Sequence, residues 1–136
     1  MAKAIGTFEV TVKPETLSDV AAGAGLGRMS LDKRYQGPLE ATSQGEMLSA
    51  MGTRQGSAGY VAIERVTGVL GGRSGSFFLQ HSGTMTRGTP TLGVSVVPDS
   101  GSGQLAGLSG MLHIRVEDGR HFYDFDYQLA EPDGVA

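Results

Sequence analysis

A glutamate and a histidine stand at the two ends of the segment "ERVTGVLGGRSGSFFLQH", residues 64–81. The Gly-rich stretch between its two apolar runs predicts a β-hairpin with the turn centred on Gly72 and Arg73. This register sets Glu64 opposite His81, and opposed residues have Cβ atoms about 4.5–5.5 Å apart. A carboxylate and an imidazole at that separation form either an acid/base pair or a buried hydrogen-bonded pair with no catalytic role.

Glu46 is a candidate third member of this site. A turn at Gly37 and Pro38 puts Glu46 on the same face as Lys33, in a group whose apolar members suggest the interior. A loop centred near Gln55 would then bring Glu46 opposite Glu64. Two carboxylates and one imidazole are a workable first shell for a divalent metal, but without paired histidines we predict no metal site.

The face that carries Glu64 and His81 is the more apolar face of its hairpin, which predicts that it lines the interior. Burial raises the pKa of a carboxyl, so Glu64 is expected to exchange protons near neutral pH. The predicted ligand-binding side chains share this interior: Tyr60, Val66, Phe77, Leu79 and Met85, with Met29 and Tyr35 from the preceding hairpin.

A second histidine–carboxylate pair is predicted in the C-terminal hairpin. The Asp118-Gly119 turn sets His113 opposite Asp124. The other face of this hairpin is the apolar one, so we place His113 and its carboxylates at the surface. His121, beside the turn, is expected at the end of the barrel.

Eight strands are needed to position these residues. The glycine content, short alternating runs and turn motifs indicate an all-β domain over residues 1–136, with strands near 5–13, 26–36, 39–50, 58–70, 75–86, 91–98, 104–116 and 121–130. Eight strands joined in sequence can close into an antiparallel up-and-down barrel, which removes their unpaired edges. A barrel of this size can hold one small ligand.

Composition excludes several classes of function. The net charge is −3 and the basic residues are scattered, which argues against a nucleic-acid partner. Cysteine is absent, so the chain has no thiol nucleophile, thiolate ligand or disulfide. No apolar run predicts a signal peptide or membrane span, and the simplest expectation is a cytoplasmic protein.

The runs "GPLEATSQGEMLSA", "GSAGYVAIERVTGVLGGRSGSFFLQHSGTM", "GSGQLAGLSG" and "YDFDYQL" resemble an uncharacterised bacterial family, DUF3224. The resemblance covers nearly the whole chain, and it implies an eight-stranded barrel like that of allene oxide cyclase, in a self-associating protein. Barrels of that superfamily host cyclisations and isomerisations of small apolar molecules. No catalytic residue carries over to this chain from them.

Two functions follow as hypotheses. In the first, the lumen binds a small apolar molecule and acts as a cofactor-independent isomerase or cyclase, or as a carrier. In the second, the barrel has a structural or interaction role. In either case the outward residues Val61, Ile63, Val69 and Phe78 predict a homo-oligomer, a dimer or trimer.

Overall fold

The computed structural model describes residues 1–130, so the last residues of the predicted domain, 131–136, lie outside the described part. The strands are β1 (Ala2–Pro14), β2 (Gly27–Gln36), β3 (Leu39–Met51), β4 (Ala58–Leu70), β5 (Arg73–Thr86), β6 (Thr89–Val96), β7 (Ser102–Gly103), β8 (Leu108–Glu117) and β9 (Arg120–Leu129). One short helix, α1 (Asp19–Gly23), lies between β1 and β2, and Ser18 caps its N-terminus.

The predicted antiparallel eight-stranded barrel is confirmed. Strands β1 to β6, β8 and β9 follow one another around the barrel in chain order, and β1 pairs with β9 to close it. The two-residue strand β7 lies outside this ring and pairs with β5 at Gly75 and Ser76. The strand predicted near 104–116 corresponds to β8, and β7 was not predicted as a separate strand.

Two-residue turns fix the register of three hairpins. Gly71 and Gly72, Arg87 and Gly88, and Asp118 and Gly119 all have positive φ angles. Two consecutive residues in this region match the right-handed twist of the strands they join. The Asp118-Gly119 register was predicted correctly, whereas the β4–β5 turn is centred on Gly71 and Gly72, one residue earlier than expected.

One end of the barrel is closed by packed side chains. We call it the closed end, and it is the end at which the β2–β3 and β4–β5 turns lie. Leu105, in the connection from β7 to β8, is almost completely buried there and packs beside Gly75. The single proton of the Tyr123 hydroxyl is shared between the Gln36 and Leu39 carbonyls, at 3.0 and 3.2 Å, and the hydroxyl oxygen accepts from the Leu39 amide at 3.0 Å. The core at this end includes Leu39, Leu70, Phe77, Leu105, Leu108 and Phe125.

Candidate functional site

Glu64 and His81 do meet inside the barrel. Glu64 is paired with Leu79 and His81 with Ala62, so the two are diagonal neighbours and not directly opposed as predicted. A shift of two residues keeps every side chain on its face. The His81 Nε2 atom lies 2.6 Å from Glu64 Oε2, and both side chains are buried.

Three further side chains bind the same carboxylate. The Lys33 ammonium donates to Oε2 at 2.7 Å, and the hydroxyls of Ser43, at 2.8 Å, and Tyr35 donate to Oε1. Each carboxylate oxygen is thus contacted by two donor groups from β2, β3 and β5. We call Lys33, Tyr35, Ser43, Glu64 and His81 the polar layer. Within residues 1–130 no buried side-chain polar atom lacks a hydrogen-bond partner.

The roles of Lys33 and Ser43 were not predicted from the sequence. Lys33 was placed on the interior face, and lysine is rarely buried unless it is paired. That rarity was a usable signal that a carboxylate lies nearby. Ser43 gave no such signal, because a shift of one residue in the β2–β3 register placed it on the outer face.

The polar layer keeps Glu64 ionised. Burial by itself would raise the pKa of the Glu64 carboxyl, but the hydrogen bond from His81 and the charge of Lys33 outweigh it and lower the pKa to about 2. The expectation of a raised pKa was therefore wrong, because it left out Lys33. Burial and the Glu64 charge raise the pKa of the Tyr35 hydroxyl well above its ordinary value.

An ionised Glu64 fixes the proton on His81. A carboxylate only accepts hydrogen bonds, so Nε2 of His81 must be the donor, which leaves Nδ1 as the free ring nitrogen. Lys33 has three N–H donors and gives one to Glu64, while its ammonium lies 5.2 Å from the centre of the Phe8 ring. Within residues 1–130, the unused hydrogen-bond donors of the layer therefore belong to Lys33, and Nδ1 of His81 has no partner.

The prediction that Glu46 faces the lumen is wrong. The β2–β3 turn is centred on Pro38, so Glu46 pairs with Ser30 on the outer face. A shift of one residue moves a side chain to the other face of a strand. Glu46 instead forms an ion pair with Arg28, at 2.7 Å between Nη2 and Oε2. Gly45 occupies the inward position opposite Glu64, where a Cβ would collide with the backbone of β4.

The predicted ligand-binding residues divide between two regions. Tyr35, Val66, Phe77 and Leu79 are buried, and all four belong to the packed core. The other three lie on the side of the polar layer away from the closed end. Of these, Tyr60 and Met29 are half-buried and Met85 is exposed. Sequence alternation alone did not show that the lumen is packed at one end and loosely filled at the other.

The second end of the barrel is lined by inward-facing apolar side chains that remain in contact with solvent. Leu92 follows the same alternation as buried Val94 and Val96 but is 41% exposed, and Val116, in line with buried Leu112, is 58% exposed. We call this end the mouth. It is lined by Val12, Met29, Met47, Tyr60, Met85, Leu92 and Val116.

Tyr60 lies at the boundary between the mouth and the polar layer. Its ring covers Gly83, where an added Cβ would lie 2.4 Å from the ring. Burial, and then the charge of Glu64, raise the pKa of its hydroxyl. Among residues 1–130 this hydroxyl has no hydrogen-bond partner, so it is available as a donor.

The second histidine pair lies on the outer surface, as predicted. His113 is paired with Asp124, and its Nε2 atom lies 3.4 Å from Asp126 Oδ2. Lys3 lies 3.0 Å from the same aspartate. His121 is half-buried against the Phe8 ring, close to the β8–β9 turn.

Comparison with known proteins identifies the family of this chain. The family model described as "Protein of unknown function (DUF3224)" matches residues 4–127. The chain belongs to the DUF3224 family. It is also similar to the crystal structure of a DUF3224 protein of unknown function from Shewanella oneidensis MR-1, with 53% identity and a TM-score of 0.90 over 97% of this chain and 99% of that one. No curated protein matches the chain. Within residues 1–130, no helix has the length and apolarity needed to cross a membrane.

Proposed function

We propose that this DUF3224 barrel binds a small, largely apolar molecule in its mouth. The observation that supports the proposal is the set of inward apolar side chains that the fold leaves in contact with solvent. A buried core fills its space, whereas Met85, Leu92 and Val116 retain 40–58% exposure although they face inward. Small-molecule sites commonly combine such an apolar wall with a few placed polar groups.

The polar layer forms the floor of this site. Tyr60 offers a hydroxyl without a partner in the described chain, and Lys33 retains N–H donors that its bond to Glu64 does not use. A ligand with an apolar body and one hydrogen-bond acceptor would satisfy these donors. The charges of Lys33 and Glu64 offset each other, so the ligand need not be charged.

Ligand binding is a better-supported function than catalysis in which Glu64 transfers a proton. A carboxyl with a pKa of about 2 is ionised at neutral pH and is a poor proton donor there. All of its acceptor positions also point to donors of the barrel itself. The cyclase or isomerase hypothesis consequently loses its predicted acid, and Glu64 is assigned the role of holding Lys33, Tyr35, Ser43 and His81 in place.

The test compares two methionines that point in different directions. Met47 on β3 points into the mouth, whereas Met111 on β8 points outward and is half exposed. We would titrate the wild-type protein, Met47→Asp and Met111→Asp with an apolar fluorescent probe, 1-anilinonaphthalene-8-sulfonate. A carboxylate in the mouth should weaken binding about tenfold or more, since about 1.4 kcal/mol corresponds to tenfold. Met111→Asp should bind as the wild type does.

Two results would contradict the proposal: equal binding by Met47→Asp and the wild type, or a loss confined to Met111→Asp. Mass spectrometry of small molecules that co-purify with the wild-type protein provides a second measurement. A bound molecule absent from Met47→Asp would support the mouth as its site. In a purely structural barrel, the Met47 substitution should change stability alone.

A further inference from the structure

A groove on the outside of the barrel is separate from the lumen. It has a volume of about 700 Å³ and lies between the segment that contains α1 and the outer face of β3 to β5. Leu17 and Ala21 line one side, and Leu48, Val61 and Ile63 line the other. Val61 and Ile63 are more than half exposed. They point away from the lumen, so the proposed ligand site does not explain them.

The sheet side of the groove belongs to a wider apolar surface. Leu48 pairs directly with Val61 across β3 and β4, Ile63 is two residues further along β4, and Phe78 lies diagonally across on β5. We call Leu48, Val61, Ile63 and Phe78 the outer patch; Val69 lies further along the same face of β4, beyond Arg65 and Thr67. An exposed apolar patch of neighbouring side chains is characteristic of an interaction surface.

An apolar protrusion stands beside this groove. Val20 on α1 is 85% exposed and does not line the groove, although Ala21 next to it does. A protrusion and a recess on one surface can complement themselves across a two-fold axis, because the rotation places each protrusion over the recess of the other copy. The same surface can therefore serve both subunits.

The charges beside these two features are complementary. Asp19 precedes Val20, and Arg65 is the next outward residue after Ile63 on β4, with its guanidinium 5.9 Å from the centre of the Phe78 ring. Neither Asp19 nor Arg65 forms a salt bridge within the described residues 1–130. A copy that places Val20 on the outer patch also brings an acidic side chain towards a basic one.

We infer that the groove is occupied by a second copy of this chain in a two-fold dimer. Val20 of each subunit inserts between the α1 segment and the outer patch of its partner, and Asp19 approaches the partner's Arg65. The contact buries Val61 and Ile63, which a single barrel leaves in water. This inference is independent of ligand binding in the mouth, because the two surfaces lie on opposite faces of the same strands.

Light scattering and sedimentation equilibrium of the full chain test the interface. The wild-type protein should have twice the mass of one chain at micromolar concentration. Ile63→Asp and Val20→Asp should each raise the dimer dissociation constant about tenfold or more. Met111→Asp is the matched control, since Met111 is half exposed on the outer face of β8, away from the groove. A wild-type monomer, a trimer, or a dimer unaffected by both groove variants would overturn the inference.

Charge exchange tests the orientation of the two subunits. Asp19→Arg and Arg65→Asp should each weaken the dimer, because like charges then face each other. The double variant should recover most of the affinity. Weakening in both single variants without recovery would overturn the Asp19–Arg65 contact.

Cysteine cross-linking gives a test that does not depend on affinity, since the natural chain has no cysteine. Val20→Cys is mixed with Ile63→Cys under oxidising conditions, with one variant carrying a mass tag. The two-fold contact predicts a mixed disulfide, which requires Cα atoms within about 7 Å. Val20→Cys mixed with Met111→Cys should give none. Equal cross-linking in both mixtures would contradict the proposed contact.

Discussion

The two ends of the barrel are built from the same strands and the same alternation, yet they differ in what fills them. At the closed end, Leu105 from the β7–β8 connection completes the core, and Phe77 stacks on Phe125 with ring centres 5.9 Å apart. At the mouth, no comparable segment of residues 1–130 packs over the inward side chains. The α1 connection, which starts at this end, lies against the outer face.

This difference separates the two uses of an apolar interior. Side chains of the closed end stabilise the fold by packing, whereas side chains of the mouth remain in contact with solvent, where we propose that the ligand binds. The polar layer marks the boundary between them. Matched substitutions on the two sides of the polar layer therefore test whether the closed end contributes mainly to stability and the mouth mainly to binding.

The largest effect is expected at the closed end. Leu70 is 1% exposed there, and Leu70→Ala removes buried methyl groups and leaves a cavity. Such substitutions cost about 2–5 kcal/mol of the free energy of unfolding. Urea denaturation monitored by circular dichroism gives the value. A cost below about 1 kcal/mol would mean that this end is as loosely filled as the mouth.

Acid should weaken the boundary itself. The folded pKa of Glu64, about 2, lies below its ordinary value of 4.5, so its contribution is fully present above about pH 4.5 and is lost as pH falls towards 2. The difference corresponds to roughly 3 kcal/mol. Denaturation at a series of pH values should show this loss in the wild type and not in Glu64→Gln. Glu46→Gln, on the exposed surface, should show most of the same loss of stability at low pH.

Coupling within the polar layer is the next effect in size. Glu64→Gln and His81→Ala together should cost less than the sum of the two single substitutions, by about 0.5–3 kcal/mol, because they remove one shared interaction. The control cycle combines His81→Ala with Glu46→Gln and should be additive. Strict additivity in the Glu64 cycle would show that the hydrogen bond contributes nothing to stability.

The smallest effect is expected at the mouth. Leu92 has the same side chain as Leu70 and also points inward, but it is far more exposed, so Leu92→Ala should cost less than about 1 kcal/mol. The same variant should weaken binding of the fluorescent probe. If Leu92→Ala destabilises the protein as much as Leu70→Ala does, the mouth is part of the core and offers no ligand site.

The sequence was sufficient to predict the barrel, most strand positions and the facing of Glu64. Alternation defines the two faces of a strand, and a register error of two residues leaves them unchanged. The Glu46 prediction failed because the β2–β3 turn is centred half a residue later than expected. This displacement shifts the pairing of β2 with β3 by one residue, and a one-residue shift moves each β3 side chain to the opposite face of the sheet. Turn composition at Gly37 and Pro38 did not distinguish these two registers.

The contact of Lys33 with Glu64 could not be derived from hairpins. The two residues lie on β2 and β4, which are separated by β3, and their side chains meet only because the sheet curves around a lumen. Pairing rules describe adjacent strands, whereas the polar layer depends on the curvature of the closed barrel. The packing of Leu105 at one end has the same origin, since it depends on where a long connection folds back.

One seam of the barrel has a consequence for its motions. Strands β6 and β8 are joined by a single residue pair, Ser95 with Met111, whereas the other neighbouring strands pair along much of their length. Backbone amides along this seam have few partners to protect them, so among the strand amides native-state hydrogen exchange should be fastest there. The barrel would then open by separation of β6 from β8, while β2 to β5 move together as one rigid unit.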